Sequence, residues 1–170
     1  MDIEIRPVAP EDAEGVEAVR SAGWRASYRG LVDDAYLDTY YGDAERRRAL
    51  IVEAGPELVQ LVGIDSTGQV VAWSGGGPSR DDDAAGTDIQ AVYSCYVDPE
   101  QWGQGIGAAI FTQVMEALAR RGPSTTLWVL TGNARARRFY ESHGFSADGA
   151  EMPAPFPGEP MELRYARANR

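Results

Sequence analysis

The hydrophobic residues of the chain follow an alternating spacing in some stretches and a helical spacing in others. Near the N-terminus, Ile3, Ile5 and Val8 alternate with charged residues, which is typical of a half-buried strand. Elsewhere, runs of β-branched and aromatic residues predict strands, and apolar positions three or four residues apart predict helices. The predicted strands cover residues 2–8, 58–64, 69–73, 89–97, 125–130, 145 onward and 160–166, and helices are predicted from residue 10, over 43–54, from 106 and over 134–142.

Two polar segments are predicted to lie at the surface. The stretch from Gly75 to Thr87 contains three consecutive glycines and Asp81-Asp82-Asp83, which predicts an exposed, mobile loop. A screen of acids that attracts amines is the alternative interpretation of these aspartates. The run Arg46-Arg47-Arg48 is interpreted as the solvated face of its helix.

The chain is organised around residues 89–107, where an apolar strand meets a glycine-rich turn. Asp98-Pro99 ends the strand, because proline offers no N–H group and biases the residue before it away from helix. Gly103, Gly105 and Gly107 follow, at the start of a helix. Glycines at that position let the free N–H groups of the helix approach a ligand, and the helix dipole favours an anion there. The stretch therefore predicts a site for a phosphorylated cofactor.

The spacing of these glycines excludes two common nucleotide sites. A P-loop requires Gly-Lys-Ser/Thr after the glycines, whereas Gly107 is followed by Ala108-Ala109. A dinucleotide fingerprint requires G-x-G-x-x-G and an acidic residue about 20 positions later. The chain has G-x-G-x-G instead and no acid over residues 124–129.

The glycine-rich turn resembles the acyl-coenzyme A loop of the GNAT N-acetyltransferase superfamily. The core pattern of that loop is Gln/Arg-x-x-Gly-x-Gly/Ala, which Gly105 and Gly107 match, while Trp102 stands at its first position. A second stretch, residues 133–140, resembles the family's Asn-x-x-Ala-x-x-x-Tyr helix, and Gly144-Phe145 follows where expected. Two motifs in the right order, each preceded by a predicted strand, extend the resemblance over essentially the whole chain.

The resemblance implies an α+β fold. The expected architecture is a central, mixed but mostly antiparallel sheet of about seven strands, flanked by about four helices. The fourth and fifth strands are expected to splay apart, with the cofactor's pantetheine arm in the opening. Residues 1–170 are expected to form a single N-acetyltransferase domain, since this length suits one hydrophobic core.

Composition and charge restrict the class of partner. The formal net charge of −10 argues against a nucleic-acid binder and is compatible with a cationic acceptor. Cys95 is the only cysteine, so an internal disulfide is excluded. We expect a cytoplasmic protein without a membrane segment, since no stretch resembles a signal peptide or a bilayer span.

The resemblance also implies a reaction and a set of site residues. The implied reaction is direct acetyl transfer from acetyl-CoA, used as a co-substrate without a metal, to a small-molecule or peptide amine. A backbone N–H near Val97 would polarise the thioester carbonyl, and a monomer or a homodimer is compatible with the family. The residues implied to bind the cofactor are Cys95, Tyr96, Val97, Gly103, Gln104, Gly105, Ile106, Gly107, Ala108 and Asn133.

Tyr140 is the predicted general acid, because a phenol can donate a hydrogen bond to the departing thiolate. The general base stays open: many relatives carry a Glu near the position of Ala91, and Asp88, Asp33, Asp34 or a water chain are the alternatives. His143 is interpreted as a turn residue at a helix end. Cys95 is interpreted as a small buried hydrophobe rather than a ping-pong nucleophile.

Two functions are compatible with these observations. The first is an amine N-acetyltransferase, which Asn133 and Tyr140 favour. The second is a non-catalytic acyl-CoA-binding module with a sensory or regulatory role, favoured by Trp102 and by Ala91 in place of an acid. Release of free thiol from acetyl-CoA across a panel of amines discriminates between them.

Overall fold

A computed structural model describes residues 3–39 and 42–169 of the chain. Seven strands form one sheet in the order β1-β2-β3-β4-β5-β7-β6. All neighbouring strands are antiparallel except β4 and β5, which confirms the expected mixed, mostly antiparallel sheet. The strands are β1 Glu4–Pro7, β2 Val59–Ile64, β3 Val70–Pro78, β4 Gln90–Val97, β5 Ser124–Leu130, β6 Ser146–Pro153 and β7 Met161–Ala168.

Five α-helices flank this sheet in the described part of the chain, one more than the sequence predicts. The additional helix, α2, has only five residues and lies in a stretch where the hydrophobic spacing is irregular. Asp33 begins α2 by accepting a hydrogen bond from the N–H of Tyr36. The helices are α1 Ala13–Tyr28, α2 Asp34–Asp38, α3 Ala44–Val52, α4 Ile106–Ala119 and α5 Ala134–Ser142.

The helices divide the core between the two faces of the sheet. Helix α1 packs on one face, where Val16 joins Val62 and Trp73 in a buried cluster. Helix α4 packs on the other face, with Phe111 and Val114 at the centre of the largest cluster. We refer to these sides as the α1 face and the α4 face.

Strands β4 and β5 separate after two paired positions. They pair in parallel only at Gln90 with Thr125 and at Ala91 with Thr126. Further along, β4 remains paired with β3, and β5 remains paired with β7. The fourth and fifth strands therefore diverge as expected and leave an opening in the middle of the sheet.

The glycine-rich stretch after Trp73 is not a loop, contrary to the sequence prediction. Gly75, Gly76 and Gly77 continue β3, which ends at Pro78. A β-bulge beside Gly76 brings the backbones of β3 and β4 together, and a Cβ on Gly76 would lie 2.3 Å from the carbonyl oxygen of Ala91. Close backbone approach, not a turn, explains these glycines.

The predicted mobile acidic loop is held in place. Residues 82–84 form a 3₁₀ turn, and the Arg164 guanidinium contacts Asp83 at 2.7 Å, Asp81 at 3.3 Å and Asp148 at 2.7 Å. The indole N–H of Trp128 also donates to Asp81. These contacts tie the loop to β5, β6 and β7, which opposes the predicted mobility, whereas Asp82 and Asp83 are exposed as predicted.

Arg47 departs from the predicted solvated run of arginines. Its side chain is only 12% exposed, and its Nε donates to the buried Glu17 carboxylate at 2.6 Å. Its guanidinium also lies 4.6 Å from the centre of the Trp73 ring. The contact connects α3 to α1 and to the sheet, so only part of the arginine run faces solvent.

Candidate functional site

The turn before α4 presents a row of unused backbone donors. None of the N–H groups of residues 103–108 donates to an acceptor in the described part of the chain. The first intrahelical hydrogen bond comes from Ala109 to the carbonyl of Gly105, and no side chain caps the helix. Together with the dipole of a 14-residue helix, this arrangement is suited to an anion such as a pyrophosphate.

The structural requirement for glycine differs among the positions of this turn. Gly103 and Gly105 have φ values of 81° and 83°, in the left-handed region that favours glycine. Space is open around both, so conformation and not crowding requires them. Gly107 lies inside α4, where an added Cβ would make ordinary contacts with Val97 and Phe139. An alanine would therefore fit at position 107, which agrees with the Gly/Ala that the family pattern allows at its last position.

The edge of β4 at the opening offers backbone groups to a ligand. The N–H of Asp98 donates to the carbonyl of Val71 at 2.9 Å, and in an antiparallel pair these hydrogen-bonded positions alternate with free ones. This alternation directs the backbone groups of Val97 and Cys95 toward the opening. The backbone groups of Tyr96, between them, face β3 instead.

Asn133 begins α5 on the opposite wall of the opening. Its side-chain oxygen accepts a hydrogen bond from the N–H of Ala136 at 3.1 Å, which confirms the predicted helix cap. Its amide nitrogen donates to no protein group in the described residues and lies beside the opening. Helix α5 ends at Ser142 and is followed by His143, whose Nδ1 lies 2.7 Å from the carbonyl of Phe139, and by Gly144 with a φ of 84°. His143 is therefore a turn residue, as predicted.

Tyr140 lies where the opening meets the α4 face. Its ring packs against Phe111 and Phe145. Its hydroxyl makes no hydrogen bond with any described residue and lines the opening. Burial raises the pKa of Tyr140 well above its usual range, and the nearby Cys95 and Tyr96 raise it further. The phenol is therefore fully protonated near neutral pH.

These elements enclose a cavity of about 340 Å³ between the β4 edge, the glycine-rich turn and α5. All the predicted cofactor residues except Gln104 line it, and so does Tyr140. Gln104 does not line the cavity, although its backbone N–H belongs to the free row. The lining set predicted from the sequence is Cys95, Tyr96, Val97, Gly103, Gly105, Ile106, Gly107, Ala108, Asn133 and Tyr140.

Cys95 is poorly suited to nucleophilic catalysis. Burial raises the pKa of the Cys95 thiol to about 12, although a hydrogen bond with Ser74 opposes this shift. The thiolate is the nucleophilic form of cysteine, and it is scarce at neutral pH when the pKa is so high. The side chain packs against the core cluster of the α4 face, as the sequence predicts.

Arg135 is a cavity residue that the sequence did not single out. It lies in the first turn of α5, and its guanidinium carbon is 3.5 Å from the centre of the Trp102 ring. The Trp102 ring is itself held by a hydrogen bond of 2.8 Å from its Nε1 to the carbonyl of Val97. An arginine in a helical motif has no sequence signal for this contact, since it depends on two elements meeting in space.

Glu162 is a second residue that sequence analysis missed. It pairs with Leu130 on β5 and with Met152 on β6, so its side chain shares the α1 face with Leu130. It makes no hydrogen bond or ion pair with a described residue, and partial burial raises its pKa above the usual range. It is close enough to Tyr28 to contribute to the raised pKa of that phenol, about 12, for which burial is the main cause.

An aromatic cluster borders Glu162 on the α1 face. Trp24 and Tyr28 from α1 meet edge to face, and Phe156 from the segment between β6 and β7 packs against both. Tyr36 from α2 completes this wall. Aromatic faces next to an unpaired carboxylate are suited to an organic cation.

The other predicted bases lie in less suitable places. Asp33 caps α2, and Asp34 contacts Arg29 at 3.6 Å. Asp88 is exposed and precedes β4 at its paired end, with its carbonyl beside Gly122. Ala91 occupies the last position at which β4 pairs with β5.

Metal and membrane sites are not found among the residues that the structure describes. No group of three or more His, Cys, Asp or Glu side chains in residues 3–39 and 42–169 is arranged to hold a metal ion. No helix in the same ranges is long and apolar enough to cross a membrane.

Comparisons with known proteins agree with this geometry. The chain is 27% identical over 153 residues to a probable N-acetyltransferase of Mycobacterium tuberculosis, covering 87% of this chain and 82% of that protein. It shares its fold with the PaiA N-acetyltransferase of Thermoplasma acidophilum in complex with coenzyme A, with a TM-score of 0.80, 17% identity and 99% of each chain covered. The yncA protein of Salmonella typhimurium, with its cofactor acetyl-CoA, has a TM-score of 0.77 and 18% identity over 100% of this chain and 95% of that one.

The family of the chain follows from a match over most of its length. The model of the Acetyltransferase (GNAT) family matches residues 22–145, which include both the glycine-rich turn and α5. This chain belongs to the GNAT acetyltransferase family.

Proposed function

We propose that this protein transfers an acetyl group from acetyl-CoA to a primary amine in a single ternary complex. The observation that carries the proposal is the cavity between β4 and α5, which is lined both by the turn with six free N–H groups and by Tyr140. An anion site and a phenol in one cavity suit a ligand with a phosphate group and a reactive thioester.

The described residues fit coenzyme A along its length. The free donors of residues 103–108 match its pyrophosphate. The outward backbone groups of Cys95 and the N–H of Val97 match the amides of the pantetheine arm, in the manner of an added strand, while the Val97 carbonyl already accepts a hydrogen bond from Trp102. The side-chain Oε1 of Gln101, which lines the same cavity, is buried without a hydrogen-bond partner in the described part of the chain. Such an atom is satisfied when a ligand donates to it.

Acetyl-CoA supplies an activated thioester when it is bound. The N–H of Val97 would polarise the carbonyl oxygen as negative charge develops on it. The neutral amine would form a bond to the carbonyl carbon while the bond from that carbon to sulfur breaks, and the proton that the new amide nitrogen loses would go to the departing thiolate. Tyr140 would stabilise the sulfur by donating a hydrogen bond. With its pKa raised far above that of a thiol, complete proton transfer from Tyr140 is unfavourable, so its role is that of a donor.

Glu162 is the proposed acceptor of the amine proton. An alkyl amine with a pKa near 10.4 is almost wholly protonated at neutral pH, so a base must remove a proton before attack. Glu162 carries an unpaired carboxylate next to Tyr28, and the partial burial that raises its pKa also makes it a better base. Tyr28, which lies close to Glu162, also lines a smaller hollow together with Asn133 and Tyr140, and this hollow links the surroundings of Glu162 to the opening.

The proposal is tested by measuring cofactor binding and thiol release separately. Calorimetry is expected to detect coenzyme A binding to the wild-type protein, and free thiol is expected to appear when acetyl-CoA is supplied with a suitable cationic amine. Gly105→Glu introduces a carboxylate at the anion site and forces a side chain into a φ of 83°. We expect this variant to lose cofactor binding while keeping its far-UV circular dichroism spectrum.

The outcome also discriminates against a non-catalytic acyl-CoA-binding module. Binding without thiol release across a broad amine panel supports the module, whereas amine-dependent release supports the enzyme. Undiminished coenzyme A affinity in Gly105→Glu would contradict the assignment of the cavity itself.

A further inference from the structure

Arg135 is the one charged side chain that lines the cavity in the described part of the chain. It reaches the cavity from α5 and stacks on Trp102, the residue directly before the free donors of residues 103–108. The cavity lining therefore combines a positive side chain with a row of N–H groups. The protein as a whole carries a formal charge of −10, so a cation at this place is not a consequence of overall composition.

The guanidinium of Arg135 is held by an aromatic ring and not by an acid. Its carbon lies 3.5 Å from the centre of the Trp102 ring. Desolvation lowers the pKa of Arg135, and no neighbouring carboxylate opposes this. It forms no hydrogen bond or ion pair with a described residue. Its five N–H donors are therefore available to a ligand.

Arg135 differs from the arginines that are held by acids. Arg6, Arg47 and Arg164 each hold a carboxylate at 2.6–2.7 Å, whereas Arg135 is positioned by an aromatic ring. A stacked guanidinium with free donors is pre-organised for a planar, two-point contact with a phosphate.

Trp102 explains how this position is maintained. Its indole N–H donates to the carbonyl of Val97 at 2.8 Å, which fixes the ring at the end of β4. The exposed ring face then supports the Arg135 guanidinium through a cation–π contact. Trp102 stands where the resembling loop pattern has Gln or Arg, so α5 supplies from across the cavity a positive group that the loop itself lacks.

We propose that Arg135, stacked on Trp102, binds a phosphate group of coenzyme A and provides the side-chain charge of the cofactor site. This inference rests on the proposed use of coenzyme A. The phosphate is either the pyrophosphate, beside the free N–H groups, or the phosphate on the ribose. In both cases the negatively charged phosphate oxygens would accept hydrogen bonds from the guanidinium.

The test compares the affinities of four proteins for coenzyme A by calorimetry. Arg135→Gln is expected to weaken binding about tenfold or more, because a charge-assisted hydrogen bond is lost. Arg135→Lys keeps the charge but not the planar stack and is expected to fall between wild type and Arg135→Gln. Arg138→Gln is the matched control, since Arg138 is exposed one turn along α5, does not line the cavity and loses the same charge.

A second arm uses dephospho-coenzyme A, which lacks the ribose phosphate. If Arg135 contacts the pyrophosphate, Arg135→Gln weakens binding of both ligands by the same factor. If it contacts the ribose phosphate, the wild-type protein binds dephospho-coenzyme A more weakly than coenzyme A, and Arg135→Gln has no further effect. Both patterns support the inference and assign the phosphate.

Two results would overturn the inference, and they are distinguishable. Wild-type binding of coenzyme A with an unchanged affinity in Arg135→Gln, or an equal loss in Arg138→Gln, overturns the role of Arg135 alone. Failure of the folded wild-type protein to bind coenzyme A overturns the proposed function together with this inference.

Discussion

The Tyr140 hydroxyl faces the cavity, while its ring is part of the α4-face core. Tyr140→Phe retains the ring and removes only the donor, so we expect the fold and the coenzyme A affinity to change little. Turnover is expected to fall about 10²-fold, the usual contribution of one positioned acid or donor. Steady-state kinetics with acetyl-CoA give kcat, and calorimetry gives the affinity. An unchanged kcat would remove Tyr140 from the proposed reaction.

Glu162 allows a prediction in which activity and stability change in opposite directions. Burial raises the pKa of Glu162 in the folded protein above its value in the unfolded chain. Ionisation of this carboxyl group therefore destabilises the fold as pH rises from the unfolded pKa to the folded pKa, and the full cost is present at higher pH. Glu162→Gln removes this cost. We therefore expect a higher Tm than wild type at pH 7 and no difference below about pH 3, where the carboxyl group is neutral in both the folded and the unfolded state.

The same substitution is expected to reduce activity. Glu162 acts as a base only when ionised, so wild-type kcat/KM is expected to fall as pH drops through its raised pKa. In Glu162→Gln, kcat/KM is expected to be about 10²-fold lower and no longer to fall over this pH range. Of the groups facing it, Leu130 and Met152 are apolar, and the Tyr28 phenol, with a pKa of about 12, titrates far from this range. If kcat/KM of Glu162→Gln still decreased at acidic pH as in the wild type, another group would be the base.

Among the elements, β3 depends on glycine for a reason that the sequence does not reveal. A Cβ at Gly76 would lie 2.3 Å from the Ala91 carbonyl oxygen and 2.9 Å from Leu118. We expect Gly76→Ala to lower the free energy of unfolding by about 1–3 kcal/mol, as overpacking does in a closely packed core. Gly107→Ala is the control, because its Cβ meets only ordinary contacts at 3.5 Å or more, and its stability is expected to be unchanged or slightly raised.

Urea unfolding monitored by circular dichroism measures both variants. A Gly76→Ala protein as stable as Gly107→Ala would show that the backbones of β3 and β4 separate without cost at the bulge.

The elements that the sequence predicts well are those with local signals. Helix α5 has its bounds at residues 134–142 as predicted, because Asn133 caps its start and Gly144 ends it with a positive φ. The strand-to-helix turn before α4 is likewise specified by Pro99 and the glycines. The pattern fails at β3, since three glycines have the composition of a loop although they lie in a strand.

The candidate site is predictable only where one segment contributes the group. The backbone donors of residues 103–108 belong to a contiguous motif, so the sequence identifies them. Arg135 and Glu162 have roles that depend on where Trp102 and Tyr28 lie in space. Arg164 shows the same limit, since nothing local indicates that it holds Asp81 and Asp83. Contacts between side chains that are distant in sequence produce no regular spacing of residues, so the sequence alone does not indicate them.

The whole molecule carries a charge that opposes one proposed substrate and favours the other. A formal charge of −10 repels coenzyme A, which is a polyanion, and attracts a cationic amine. The local cation Arg135 and the free N–H groups of residues 103–108 act only at short range. Added salt shortens the screening length from about 30 Å at 0.01 M to about 8 Å at 0.15 M. Added salt therefore weakens the long-range electrostatic interactions of the whole protein more than it weakens the contacts inside the cavity.

The two substrates are consequently expected to respond to salt in opposite directions. Between 0.01 M and 0.15 M NaCl, the association rate of coenzyme A should rise several-fold, because screening relieves the repulsion. Over the same range, KM for a cationic amine should rise several-fold, because screening weakens its attraction. Stopped-flow binding and steady-state kinetics measure the two quantities, and a neutral amine at high pH is the control for the second. A coenzyme A association rate and an amine affinity that both rise, or both fall, with added salt would contradict an anionic donor and a cationic acceptor, since one net charge cannot attract both.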